Sequence, residues 1–288
     1  MRLCPSCHAT FPGRGWACPA CGFFAPSRDG ITLLAPEALE SPEGFDEESF
    51  LTLPEAEERS FWFRSRNQLI AWAVGRYFPH AKSLLDVGCG TGFVLQGLRS
   101  EHPALRLVGG ELFPQGLAVA RHRVPDAELL QMDARRIPFR DEFDVAGAFD
   151  VLEHVEDDAQ VLSEMRAALR PGGGLLVTVP QHPRLWSIVD EYSRHVRRYT
   201  RAELLAKVRG AGFEVLRWTS FVTLLLPLLA VSRRRLRGQQ AFDPLTEYRN
   251  PPFVDSALGW VLAAERSLIR AGMRLPVGGS LLVVARQR

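Results

Sequence analysis

Between Ser83 and Trp218, short apolar runs alternate with stretches of helical period, and few architectures accept that alternation. Runs at 83–87, 106–111, 127–132, 143–149, 174–179 and 213–218 read as strands, and a seventh follows at 280–285. Helical spacing covers 93–100, 114–123, 158–169 and 202–211. Strands separated by helices pair in parallel, because the crossover helix returns the chain to the same end of the sheet. The LRPGGG at 169–174 supplies a helix stop and a turn into the next strand. The expected fold is therefore α/β, with seven strands in a mostly parallel sheet.

The first of these strands runs into Gly88-Cys89-Gly90-Thr91-Gly92. Such a loop turns sharply and lets a ligand approach the backbone, and the helix that follows favours a carboxylate at its N-terminus. Glu111 ends the second strand, where an acid can hold a ribose diol. A dinucleotide cradle needs Gly-x-Gly-x-x-Gly, and position 93 is Phe, so nicotinamide and flavin cofactors fit poorly.

Ahead of this region stand Cys4, Cys7, Cys18 and Cys21, two Cys-x-x-Cys knuckles. Four thiolates at this spacing form a tetrahedral soft-ligand set suited to structural zinc. So short a segment cannot fold on its own buried surface, and metal binding would have to stabilise it. Its charge argues against reading nucleic acid. Residues 1–28 hold three arginines and no acid, and 29–58 hold ten acids and no base. A phosphate-binding arm needs the opposite balance. The expected organisation is a zinc ribbon at 1–28, an acidic linker at 29–58 and a catalytic domain at 59–288. Formal net charge is +2, which drives the chain toward neither nucleic acid nor an anionic membrane. Cys4 leaves no room for an apolar leader before it, and paired knuckles suit a reducing compartment, so a cytoplasmic location is expected, extending to the inner membrane surface.

Taken together, LLDVGCGTG, GGELF, QMDA, FDVLEHV and LRPGGGLLVTVP resemble a class I S-adenosylmethionine-dependent methyltransferase of the small-molecule type, in matching order. The resemblance covers about 60–220, and SLLVVARQ resembles that family's antiparallel last strand. It implies a Rossmann-like sheet and S-adenosylmethionine as cofactor. It further implies that Asp86, Gly88 and Gly90 border the methionine half and that Glu111 holds the ribose hydroxyls, with Leu112 beside the adenine. Asp133 would accept from the adenine amino group, with Ala134 offering its backbone. Phe149 and Asp150 would lie by the sulfonium.

In-line methyl transfer asks the protein to orient the reactants and, for a hydroxyl acceptor, to remove a proton. His154 and His195 are the candidate bases, with His182 a third histidine after the fifth strand. Trp62 and Arg66 belong to a segment resembling the helix that closes over the cofactor in relatives. The fourth strand is followed neither by Asn/Asp-Pro-Pro-aromatic, which amino-methylating nucleic-acid relatives carry, nor by a nucleophilic Cys. A small acceptor, methylated on oxygen or carbon and of apolar or lipid-like character, is expected. Residues 221–275 form an insertion: an apolar run from Phe221 to Val231, an arginine cluster, then Val254, Leu258, Val261, Leu262, Leu268 and Ile269 on one helical face. It suits a lid, a peripheral membrane contact through 221–240, or an oligomer surface. Pro227 and its shortness exclude a spanning helix. Two other readings remain open. One is an rRNA base methyltransferase with a zinc finger, although the resembling family uses three Cys and a His. The other is a regulator that binds cofactor without catalysis.

Overall fold

The computed structural model describes residues 1–13, 15–39, 49–237 and 250–288. The strands are β1 (Arg2–Leu3), β2 (Thr10–Phe11), β3 (Ser27–Arg28), β4 (Ile31–Leu33), β5 (Ser83–Val87), β6 (Arg106–Glu111), β7 (Glu128–Gln131), β8 (Phe143–Phe149), β9 (Leu169–Pro180), β10 (Phe213–Phe221) and β11 (Ser280–Gln287). The helices are α1 (Ser49–Arg59), α2 (Phe61–Tyr77), α3 (Phe93–Glu101), α4 (Pro114–Arg123), α5 (Asp158–Ala168), α6 (Ile188–Tyr192), α7 (Arg201–Gly210), α8 (Leu226–Leu236) and α9 (Pro252–Arg270).

The main sheet has the order β10-β11-β9-β8-β5-β6-β7-β4-β3. β5 through β9 pair in parallel, and β11 runs antiparallel to both its neighbours. β5 is buried along its whole length, as a strand covered on both faces must be, and it is apolar but for Ser83 and Asp86. One face packs on α5 and α7 through Val161, Leu162, Met165, Leu204 and Val208. The other packs on α2, α3 and α9 through Leu69, Ile70, Val94, Leu95 and Ile269.

Two strands were not expected. β3 and β4 extend the sheet to nine, with β4 parallel to β7. Residues 31–33 lie inside the stretch whose acids suggested a linker, yet Ile31, Leu34 and Ala35 are buried. Gln131 fixes that edge, accepting from the Ala35 N–H and donating to the Ala35 carbonyl. Farther on, α1 is helical, so linker character does not describe 49–58 either. Of the acids counted there, Glu40, Glu43, Asp46, Glu47 and Glu48 lie outside the described residues.

The cysteine segment forms two matching knuckles. The His8 N–H donates to the Cys4 carbonyl and the Gly22 N–H to the Cys18 carbonyl, each at 3.0 Å. Both turns pass through the left-handed region, at His8 and at Gly22. The segment is docked on the sheet. Trp16 packs edge-on to Phe139, with ring centroids 5.5 Å apart, and Phe11, Cys4 and Cys18 join the same core as Phe143. Buried Arg2 lies 4.2 Å over the Trp16 ring and pairs with Glu128, and the N-terminal amine meets Glu142 at 2.7 Å. Glu128 begins β7 and Glu142 precedes β8, so docking occurs at the amino ends of the strands. Because β4 runs parallel to β7, it carries the chain from that end toward the opposite one, where α1 follows.

In the insertion, α8 and α9 are helices as expected. Asp255 near the start of α9 accepts from the Phe61 N–H at 2.8 Å, and Glu265 accepts from the backbone N–H groups of Val222, Thr223 and Leu224. Those bonds fix the insertion to α2 and to the end of β10. Leu268, expected on the apolar inner face, is 38% exposed. Among the described residues, no helix is long and apolar enough to cross a membrane.

Candidate functional site

A cavity of about 620 Å³ opens at the carboxyl ends of β5, β6, β7 and β8. Its size suits a small molecule, and strand ends are where open parallel sheets place ligands. Asp86, Gly88, Gly90, Glu111, Leu112, Asp133, Ala134, Phe149, Asp150, His154 and His195 all line it. Residues more than a hundred positions apart are thus gathered in one place. His182 is not among the lining residues.

The glycine loop takes the backbone where a side chain would obstruct it. Gly88 has φ of 72°, and a Cβ there would sit 2.6 Å from Val151. Gly92, at φ 76°, lets α3 approach α4 so closely that a Cβ would lie 2.8 Å from that of Ala120. Only glycine combines that backbone with that approach. α1 lies across the loop: Glu57 accepts from the Thr91 hydroxyl at 2.6–2.7 Å and pairs with Arg123. Phe50 of α1 packs beside Gly90 and Phe113. Sequence reading passed over Phe50, Glu57 and Arg123, because a contact across 66 positions leaves no local pattern.

Three acids sit at successive strand ends. Asp86 is buried, its Oδ1 is without a hydrogen-bond partner among the described residues, and burial pushes its carboxyl up to about 8 against the pull of Arg66. Glu111 accepts from the Gly90 N–H at 3.0 Å and the Phe113 N–H at 3.1 Å, and burial raises it too. Asp133 faces the cavity with its carboxylate clamped by Arg135, whose Nε and Nη2 lie 2.9–3.1 Å away. Asp150, in the left-handed region at φ 58°, pairs with Arg66, whose guanidinium lies 4.8 Å over Trp62. Arg66 therefore enters the site through Asp150.

The segment 187–199 folds over the turn after β8. The Val196 N–H donates to the Glu153 carbonyl at 2.7 Å, and the buried Tyr199 hydroxyl donates to Asp158 at 2.6 Å. This brings His195 against His154, with ring centroids 4.7 Å apart. His195 Nδ1 bonds Asp190 at 2.9 Å, and Asp190 also takes Arg198 Nε at 2.6 Å. Burial, with His195 alongside, pushes the His154 ring down to about 3, so it is neutral and weakly basic at physiological pH. Glu153, which the sequence reading left out, is wholly buried and lines the same cavity. Its burial and the charge of Asp150 raise its carboxyl well above the usual range. Leu225, Leu228 and Leu229, around the start of α8, form an apolar wall with Val189 and Leu258.

Residues 85–177 match a family described as a methyltransferase domain. Within the chain, that region is similar to methyltransferase domains, and the relatives it matches include proteins named for dependence on S-adenosylmethionine. A Mycolicibacterium smegmatis protein named "probable S-adenosylmethionine-dependent methyltransferase" is 30% identical over 169 residues, 57% of this chain and 63% of its own. Demethylmenaquinone methyltransferase of Chlorobaculum tepidum is 35% identical over 102 residues, 35% of this chain and 42% of its own. The chain thus spans less than two thirds of the curated relatives it matches. By name, relatives act on acceptors as different as demethylmenaquinone and tRNA U34. The fold also recurs in the structure described as "Complex between the Haloferax volcanii Trm112 methyltransferase activator and the putative methyltransferase", at TM-score 0.56 and 20% identity, covering 84% of this chain and 97% of that one.

Proposed function

We propose that this chain transfers a methyl group from S-adenosylmethionine to a small acceptor with an apolar body, at oxygen or carbon. The observation that carries the reading is the cavity itself. One end has a glycine loop and acids at three strand ends, and the other has a wall of leucines from the insertion. The orphaned Asp86 Oδ1 and the backbone space kept by Gly88 fit a ligand with a cationic group. Asp86 would hold the methionine ammonium, and Glu111 the ribose hydroxyls. Asp133, held by Arg135, would face the adenine edge together with the Ala134 backbone, beside Leu112. When bound, the cofactor supplies a methyl activated by its sulfonium. Phe149 and Asp150 would border that methyl, and the α8 leucines would orient the acceptor and exclude water.

Support for an apolar acceptor comes from α8. Leu225 and Leu229 line the cavity, whereas Leu224 and Val231 stay 49% and 44% exposed beside them. An apolar acceptor can pass along such a helix from a membrane surface, so transient contact there belongs to the reading. Methyl-labelled cofactor, incubated with extract and fractionated, tests it: label should enter organic-soluble small molecules. Label confined to RNA would sink it.

The four cysteines fit zinc in a closed structural site. Their sulfurs cluster within 4.8 Å, with Cys4 to Cys21 at 3.6 Å and Cys7 to Cys18 at 3.7 Å. A tetrahedral ion with metal–sulfur bonds of about 2.3 Å separates its sulfurs by about 3.8 Å. All four positions are filled by protein, at the strand ends opposite the cavity, so the ion's role is structural. Elemental analysis should find one zinc per chain, lost in Cys4→Ser.

A further inference from the structure

The acceptor end of the cavity contains a group that methyl transfer, as derived above, does not use. Glu153 is wholly buried, lines the cavity, and has no hydrogen-bond partner among the described residues at either carboxylate oxygen. The two guanidinium groups that influence it are engaged elsewhere. Arg66 is paired with Asp150, and Arg198 is held by Asp190 and the Gln181 carbonyl. A buried carboxylate without a partner is costly and calls for a proton or a cation.

Two imidazoles supply the rest of a ligand set. One ligand atom each from Glu153, His154 and His195 lies within 4.8 Å of the others. An ion with bonds of about 2.1 Å holds neighbouring ligand atoms about 3.0–3.4 Å apart, so shifts of under about 1 Å close the set. Both rings are already oriented from behind. His195 gives Nδ1 to Asp190, which leaves Nε2 for a metal, and the His154 ring is fixed by the backbone at Ser193 and Arg194. A carboxylate behind a ligating histidine is the usual outer-shell arrangement of metal sites.

We propose that Glu153, His154 and His195 bind a divalent cation. We further propose that its open positions take two oxygens of a chelating acceptor: a catechol, another vicinal diol, or a hydroxy-carbonyl compound. The acceptor half of this proposal rests on the methyl-transfer reading; the metal half does not. Two histidines and one carboxylate leave up to three positions open, and nitrogen and oxygen donors suit Mn²⁺, Fe²⁺ or Zn²⁺. The soft cysteine set would keep zinc at the ribbon. Coordination lowers the acceptor hydroxyl's pKa, and its proton leaves to solvent. The oxygen lone pair then forms the bond to the methyl carbon as the carbon–sulfur bond breaks. That electron pair stays on sulfur, giving S-adenosylhomocysteine and the methyl ether.

The test uses the full chain with its cysteine site filled by zinc. Mn²⁺ is titrated in and free Mn²⁺ is read by electron paramagnetic resonance. Wild type should take up one Mn²⁺, with affinity at least tenfold weaker in Glu153→Gln and in His195→Ala. S-adenosylhomocysteine affinity, read by calorimetry on the same samples, should stay within twofold. The His195 variant, in a partly exposed segment, keeps the test decisive if Glu153→Gln fails to fold. No uptake by wild type, or uptake unchanged in both variants, overturns the site. Catechol should perturb the bound-Mn²⁺ spectrum and phenol should not; equal response to the two overturns chelation. Failure of Mn²⁺ uptake while S-adenosylhomocysteine still binds would refute the metal and spare the methyltransferase reading.

Discussion

Trp16→Ala separates a docked cysteine module from a tethered one. The indole is 7% exposed, wedged between Phe11 and Phe139 at centroid distances of 6.5 and 5.5 Å, with the Arg2 guanidinium over its face. Truncating a buried aromatic of this size costs about 3–5 kcal/mol, and losing the cation–π contact is part of that cost. Unfolding entropy of about 2.1 cal/mol/K per residue amounts to about 0.6 kcal/mol/K for a chain of this length. The main melting transition should therefore fall by about 5–8 °C if the module and the sheet unfold together. Calorimetry with zinc in slight excess reads the transition. Phe24→Ala serves as a control, since Phe24 is in the same module but 73% exposed, and it should leave the transition in place. An unmoved main transition in Trp16→Ala, with zinc content intact, would refute the shared core.

Two further outcomes follow from buried carboxylates. Asp86, raised to about 8, stays protonated in the free protein at neutral pH while the unfolded chain has lost that proton, so its contribution to stability falls as pH rises from about 4 to 8. A cofactor ammonium docking there would lower that pKa, so binding at pH 7 should release up to one proton. Calorimetry in buffers of different ionisation enthalpy measures the release, which Asp86→Asn should abolish. Glu265→Ala would strip three backbone N–H groups of their acceptor at a residue only 2% exposed. A loss of about 2–4 kcal/mol is expected, read as a lower denaturant midpoint and faster proteolysis in the insertion. An unchanged midpoint would mean that the insertion is held by other contacts.

The central sheet was legible because its strands are buried on both faces and read as apolar runs. Acids immediately after such runs, as at Glu111 and Asp133, are easy to notice. The other expected cavity residues came from the family resemblance, which carries them at or beside those strand ends. What escaped reading depends on contacts between distant positions. β4 has only Ile31–Leu33 to announce it, within a stretch dominated by acids, and its pairing partner lies about a hundred residues on. In the sequence Arg2 is only one of three arginines in 1–28, whereas Glu128 and Trp16 bury it. Nothing in VLEHV marks Glu153 as buried. Only the folding of 193–196 over that turn encloses it and brings His195 beside His154.

The claim on which the rest stands is that the acids at these strand ends hold S-adenosylmethionine. Titration calorimetry of S-adenosylhomocysteine into wild type and Glu111→Ala measures it directly. The account predicts one site per chain in wild type and an affinity at least tenfold weaker in the variant, which stays folded at the assay temperature although it melts lower for the loss of the Gly90 and Phe113 hydrogen bonds. No binding by wild type, or equal binding by both, would contradict it.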